Sequence, residues 1–332
     1  MKISQLGGEA ALINLIRDKF GAPADTALAL SIGDDAALIR CGDSYMVVTT
    51  DLLVENTHFR MDINDAYLLG WKSVAVNISD VAAMGGTPTY SFVSIGLPDV
   101  DVSVVEKIYE GMYDASNAFG SAIAGGDTVA SESDIVINVT QLGTVEQDRA
   151  ARRNGAKHGD SIIVTNTLGD SLAGLQLLLK YGIDESRRAS SFLVERHLKP
   201  EPRVWEARAA VETGKVHSMM DLSDGLSSDI AKLCEASNAG ARIFADSLPI
   251  SEDLHIAASR LDSDPITLAA TGGEDYELLI TCAPADAHTL ISAIKKTGSS
   301  ATIIGEIVDS SAAVLVSSDG CEQPMPSAWK HF

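Results

Sequence analysis

Apolar and polar positions follow two different periods along this chain of 332 residues. A helical period in "ALINLIRDKF", 11–20, gives way to alternation in "SYMVVTTD", 44–51, which predicts a strand ending on an acid. "DAYLLGWKSVAVNISDVAAMG", 65–85, is apolar on nearly every side and predicts a long buried helix stopped by glycine. Next come a strand "TYSFVSIGL", a helix "VSVVEKIYEGMYDASNAFG", a short strand into "AGGDT" and a strand "DIVINVTQLGTV". The charged, glycine-containing segment 146–160 has no hydrophobic period and predicts a domain boundary. A second run opens with the strand "SIIVTN", includes helices over "GLQLLLKYG" and "SSDIAKLCEAS", and closes with the strands "YELLITC" and "TIIGEIV". The pattern predicts a mixed α/β protein (α+β mixed) without internal repeats or low-complexity tracts.

Length and a hydrophobic content of 45% predict roughly two domains with sizeable cores. Four cysteines, Cys41, Cys234, Cys282 and Cys321, form no CxxC pair, which argues against a disulfide framework or a zinc site and makes a cytoplasmic location the expectation. The N-terminal stretch lacks a signal-peptide pattern and no apolar run approaches a membrane span, so no membrane partner is expected. A formal net charge of -21 argues against nucleic acid, whose phosphates demand a basic face. It leaves polyphosphate ligands open, because divalent cations bridge carboxylate and phosphate oxygens.

Candidate chemistry lies in acidic segments: "GDDAAL" at 33–38, "TTDLL" at 49–53, "NISD" at 77–80, "GGDT" at 125–128 and "DLSDGLSSD" at 221–229. Most place aspartate beside glycine or a small hydroxyl residue, and strand ends are where α/β folds present ligands. Asp80 is embedded in an apolar helix one turn from Asn77, and a buried carboxylate needs a metal, a cation or strong donors. Asp51, with Thr49 and Thr50 before it, offers an oxygen set suited to Mg²⁺, or else it caps the next element of the chain. Asp34, Asp35 and Asp127 carry the same two readings. No GxxxxGK[ST] loop and no protein-kinase motif set occurs. "DLSDGLSSD" does not fit an EF-hand, since Gly225 stands at position 5 and Lys232 at position 12. It reads as a turn carrying Asp221, Ser223 and Asp224, with Ser227 or Ser228 available to cap the next helix and Asp229 in its first turn.

Together with "TTDLLVENTHF", "WKSVAVNISDVAAMGGTP", "AGGDT" and "TGGEDYELL", these segments resemble the thiamine-monophosphate kinase family in order and approximate spacing, from about residue 33 to 279. The resemblance implies ATP-dependent phosphorylation of thiamine monophosphate to thiamine diphosphate, with ATP as donor and several Mg²⁺ ions. It implies the two-domain aminoimidazole ribonucleotide synthetase-like fold, with an N-terminal ATP- and metal-binding domain (1–148), a C-terminal α/β domain (149–332), and a homodimer whose N-terminal sheets pair. Carried over by motif, the metal ligands are Asp35, Thr49, Thr50, Asp51, Asp80, Asp127, Asp221 and Asp224, with Asp51, Asp80 and Asp127 catalytic. ATP contacts fall on Gly126, Asp127, Arg153 and Ser223. Thiamine phosphate contacts fall on His58, Glu274 and Trp329. Asp34 rivals Asp35, Arg152 rivals Arg153, and tail packing rivals a ligand role for Trp329. An aminoimidazole ribonucleotide synthetase-like enzyme and a non-catalytic divalent-cation binder are the alternative functions.

Overall fold

The computed structural model describes residues 8–22 and 27–327. The first part of the chain runs α1 (Glu9–Phe20), β1 (Leu28–Leu30), β2 (Ala37–Cys41), β3 (Ser44–Val54), α2 (Ala66–Ala83), β4 (Thr87–Leu97), α3 (Val102–Ala118), β5 (Ala122–Ala130) and β6 (Val136–Glu146). Among the described residues its strands make a six-stranded sheet in the order β1-β2-β3-β6-β4-β5. All pairs are antiparallel except β4 with β5.

The second part continues with β7 (Ser161–Thr165), α4 (Asp170–Ala189), α5 (Ser191–Leu198), α6 (Val204–Glu212), β8 (Ser218–Asp221), α7 (Leu226–Ser237) and β9 (Gly240–Phe244). It then adds α8 (Glu252–Leu261), α9 (Pro265–Thr271), β10 (Leu278–Cys282), α10 (Ala287–Lys295), β11 (Ala301–Val308), β12 (Ala313–Val316) and β13 (Glu322–Pro324). Its described strands make a seven-stranded sheet ordered β13-β12-β9-β11-β7-β10-β8, in which only β12 and β9 run parallel.

Mixed α/β architecture is present, but the sheets are mostly antiparallel, so the strand-end rule for parallel sheets does not locate the ligand. Three local expectations are corrected. The strand at 44 does not stop at Asp51; it continues to Val54 because β6 pairs with it along its whole length, from Ser44↔Glu146 to Val54↔Val136. The short strand expected to lead into "AGGDT" does not end there but runs through it, so that the segment is the middle of β5, held by β4. The strand over "YELLITC" starts only at Leu278, because Tyr276 adopts a left-handed backbone with φ 51°. A bulky residue reaches that region only when its surroundings impose it.

Helix α2 joins the two parts. Asp65 caps its N-terminus, accepting from Tyr67 N and Leu68 N. Its flanks are buried almost all round, as the uninterrupted apolar pattern requires. One hydrophobic cluster contains Trp71, Val74 and Ile78 of α2, Val93 and Ile137 of the first sheet, Ala207 of α6, and Met219 and Ile280 of the second sheet. On the other side α2 crosses α3 so closely that a Cβ on Gly70 would lie 1.8 Å from Ile108 O, and one on Gly111 would lie 1.9 Å from Tyr67 O. Neither glycine can carry a side chain unless the helices separate. Gly70→Ala and Gly111→Ala are each expected to lower the unfolding free energy by about 3 kcal/mol, the upper range for overpacking. Urea denaturation followed by circular dichroism checks this, and an unchanged midpoint would show that the helices can part freely.

Candidate active site

Alternation along β3 selects which side chains reach the interior. Tyr45, Val47, Thr49 and Leu53 are buried against the helices and Asp51 is half-buried on the same side, whereas Thr50 and Leu52 are exposed on the outer face. The last turns of α2 lie over this inner side. Asp51 N–H donates to Asn77 Oδ1 at 2.9 Å, Asn77 Nδ2 donates to Ser73 O at 3.0 Å, and Thr49 Oγ1 donates to Asp80 Oδ2 at 2.5 Å. Asn77 and Asp80 share a helical face and both bind β3. Ser79, also on α2, donates to Asp221 Oδ2 at 2.6 Å, so the helix reaches the end of β8 as well.

The result is a cluster of Asp35, Asp80 and Asp221, whose ligand-type oxygens lie within 4.8 Å of one another. Asp35 and Asp221 are buried. Burial raises Asp80 well above the usual carboxylate range, and the charges of Asp51, Asp221 and Asp35 add to it. Burial, then Asp35, does the same to Asp221. Asp51 is pushed up to about 6 by burial and by Asp224. Like charges this close cannot all ionise without a counter-charge. Asp35 Oδ2 is buried with no hydrogen-bond partner. A set made only of oxygens, crowded and short of positive charge, with one acceptor left over, fits a hard divalent cation.

Asp34 and Asp35 separate in role. Asp34 accepts from the backbone N–H groups of Asp35 and Arg153, and burial with the adjacent Asp35 charge raises its carboxyl to about 7. Asp35 turns inward, where Arg153 Nε and Nη2 both donate to its Oδ1. Arg153 is thereby placed at the rim of the carboxylate cluster, and Arg152 contributes its carbonyl to Met219 N.

Thr50, Asp127 and Gly126 are not brought to this cluster, whereas the charge of Asp224 acts on Asp51. Thr50 points to the outer sheet face, sharing hydrogen bonds with Asn138 and Thr140. Asp127 lies exposed on the edge strand β5, in the row of Ser94 and Asn138 on that same outer face, roughly 14 Å along the sheet from β3. Gly126 has its own packing reason, since a Cβ there would lie 1.7 Å from Val93 O of β4. Asp224 is paired with Lys232 Nζ, and Asp229 both accepts from Lys232 at 2.7 Å and holds Asp224 N–H at 3.0 Å. Helix α7 is preceded by Gly225 with no side-chain cap, so neither Ser227 nor Ser228 caps it.

The acceptor candidates converge from both parts of the chain. His58 receives Val54 N–H on Nδ1 at 3.0 Å, which places its proton on Nε2. The charge it carries when protonated is among those that act on Glu274. Glu274 has φ 63° in a loop whose N–H groups at 274 and 276 donate to Ser223 O and Leu222 O. The loop of "TGGEDYE" is thus fastened to the loop of "DLSDGL". Trp329 lies outside the described residues. Sequence reading missed Lys72 and Lys232. Lys72 and Asp80 are the two charges in the apolar sequence of α2, so Lys72 gave a signal as strong as that of Asp80; Lys232 stands two turns after Asp224 and had no distinguishing pattern.

Among the described residues no helix is long and apolar enough to cross a membrane. Residues 33–145 match the family described as AIR synthase related protein, N-terminal domain, and residues 157–317 match its C-terminal domain. A thiamine-monophosphate kinase of Escherichia coli strain K12 is 36% identical over 306 residues, covering 91% of each chain. One of Aquifex aeolicus is 36% identical with 100% of each chain covered. A solved structure described as AaThiL complexed with AMPPCP and TMP superposes with a TM-score of 0.87 at 34% identity, covering 100% of this chain and 99% of that one. With two AIR synthase related domains around one carboxylate cluster and full-length likeness of this degree, the chain belongs to the thiamine-monophosphate kinase family.

Proposed function

We propose that this protein transfers the γ-phosphoryl group of ATP to the phosphate of thiamine monophosphate in one in-line displacement, giving thiamine diphosphate. The observation that carries the reading is the buried oxygen cluster of Asp35, Asp80 and Asp221, in a chain whose relative was solved with AMPPCP and TMP. Asp35, Asp80 and Asp221, with Thr49, Asp51 and Asp224 around them, would hold several Mg²⁺ ions. When bound, these would neutralise phosphate charge and so offset the repulsion between two anionic substrates.

The chain's own residues do the positioning. Arg153, anchored by Asp35 yet 20% exposed at its side chain, offers its remaining guanidinium donors to nucleotide phosphate. Ser223 and Gly126 are the further nucleotide contacts in this reading. His58 presents Nε2–H to the acceptor phosphate. Its other nitrogen is occupied by Val54 N–H, so the neutral ring has no lone pair with which to attack phosphorus. The acceptor oxygen is already anionic and needs no base. Glu274 meets the thiamine portion. The outer face of the first sheet carries Leu52, Tyr90, Phe92 and Val129, which are between 42% and 56% exposed, and we read it as the contact with a second copy.

Asp80→Asn is expected to abolish turnover without unfolding the protein. Because burial and its neighbours raise Asp80, its ionised form opposes folding: that loss is absent below the ordinary carboxylate pKa and grows as pH rises towards the shifted one. In EDTA the variant should therefore melt higher than wild type at pH 8, by roughly 2 °C for each kcal/mol relieved, with the gap closing towards pH 5. A variant that melts lower at pH 8 would mark Asp80 as a structural residue.

His58→Asn should raise KM for thiamine monophosphate by about tenfold, one charge-assisted hydrogen bond, with kcat largely kept. Chiral γ-phosphorus should invert in wild type; retention, or labelled phosphate trapped on His58, would overturn the direct transfer.

Phe92→Asp should convert a dimer to a monomer in sedimentation velocity. Wild type sedimenting as a monomer at micromolar concentration would remove the dimer reading.

A further inference from the structure

Lys72 is only 1% exposed, in the second turn of α2, among residues that are otherwise apolar or small. Its ammonium donates to Glu274 Oε2 at 2.8 Å and to His197 O at 3.3 Å. The same Oε2 lies 3.2 Å from His197 Nδ1, and that nitrogen lies 3.1 Å from Ser171 Oγ. The hydrogen-bond partner of that nitrogen is Ser171 Oγ, so the ring stands beside the carboxylate without donating to it. His197 stays neutral at physiological pH, since burial and then the Lys72 charge lower it to about 3. Lys72 is therefore the cation that faces Glu274 from α2, and His197 of α5 contributes only a dipole.

The two oxygens of Glu274 are unequal. Oε2 is held by Lys72, with the His197 ring beside it, whereas Oε1 takes no hydrogen bond from any described residue, and the side chain is 28% exposed. Burial works to raise this carboxyl; the Lys72 charge is the largest influence against it and leaves it below the ordinary glutamate value. The backbone that carries it is left-handed at both Glu274 and Tyr276, with φ 63° and 51°. It is pinned to Ser223 and Leu222 on one side, while Asp275 accepts from Gly169 N and Ser171 N at the start of α4 on the other. Two non-glycine residues in that region within three positions are backbone strain that the surrounding contacts enforce. A pair serving only to join the two parts of the chain would need neither the strain nor the open oxygen, since apolar side chains of similar volume fill such a place at no loss.

We infer that Lys72 is a positioning residue for the acceptor: by holding Oε2 it fixes the Glu274 carboxylate and aims Oε1 at the amino-bearing pyrimidine of the substrate, the ring at the end away from its phosphate. This rests on the reading that Glu274 meets the thiamine portion. Through Lys72 the helix that supplies Asp80 to the phosphate end also sets the far end of the acceptor. Reacting phosphates and recognised ring are thus gauged from one rigid element, which is the arrangement that in-line transfer requires.

The test measures KM for thiamine monophosphate, KM for ATP and kcat in Lys72→Met, Glu274→Gln and the double variant, with thermal melting of each. Both single variants are expected to raise acceptor KM by roughly tenfold or more while KM for ATP stays within about twofold. The double variant should be no worse than Glu274→Gln alone, because Lys72 acts through that carboxylate. An unchanged acceptor KM in Glu274→Gln would overturn the placement of Glu274 at the acceptor. A raised KM in Glu274→Gln with a normal one in Lys72→Met would overturn the role of Lys72 and leave that placement standing. Should Lys72→Met melt too low to assay because it leaves Glu274 buried without a counter-charge, the double variant removes both charges and decides the matter. Acceptor KM equal to that of Glu274→Gln supports positioning, and a further rise or an equal rise in KM for ATP overturns it.

Discussion

Mutual repulsion among buried carboxylates is the constraint around which this structure is arranged. Asp35, Asp80 and Asp221 come from a loop before β2, the end of α2 and the end of β8, and their oxygens approach within 4.8 Å. Left to themselves such groups would move apart or take up protons. They are held by Thr49 on Asp80, Ser79 on Asp221 and Arg153 on Asp35, each a donor fixed by its own strand, helix or loop. The protein therefore spends folding energy to keep negative charge concentrated, and a cation-dependent phosphate chemistry is what such a concentration suits.

Helix α2 makes this arrangement possible. It is apolar on its flanks, so it can be enclosed by both sheets and by α3, and the close crossing at Gly70 and Gly111 fixes its height and rotation. A helix buried on every side has little freedom, and the polar residues it carries inherit that rigidity. Asn77 and Asp80 meet β3, Ser79 meets β8, and Lys72, two turns earlier, meets the loop of Glu274. Four polar contacts from one helix thus register two halves of the molecule against each other.

Cations in the site are few and each is matched to a carboxylate. Arg153 is tied to Asp35, Lys232 to Asp224 and Asp229, and Lys72 to Glu274. The resident positive charges orient acidic groups and leave the phosphate-facing cluster short of counter-charge. This is the opposite of a lysine-bearing phosphate loop, where the chain itself supplies the cation, and it agrees with a formal net charge of -21.

What the amino-acid order determined by itself was local. The apolar run of 65–85 dictates a buried helix because no face of it is polar enough for water, and the alternation of "SYMVVTTD" dictates a strand with Thr49 and Asp51 on one side and Thr50 on the other. Asp80 announced itself because a charge in an apolar helix needs a partner. By the same logic Lys72 was legible, although its partner Glu274, 202 positions away, was not. Tertiary structure decided everything that depends on register and chain crossing. It ran β5 through "AGGDT", because β4 supplies the missing hydrogen bonds; it turned Asp127 and Thr50 to the outer face, because the side-chain period of a strand is two; and it chose Asp35 over Asp34 for the cluster, because Arg153 returns from the far side of β6 to meet both. Local propensity extends over a few residues, whereas a site built from four distant segments exists only once long-range pairing has brought them together.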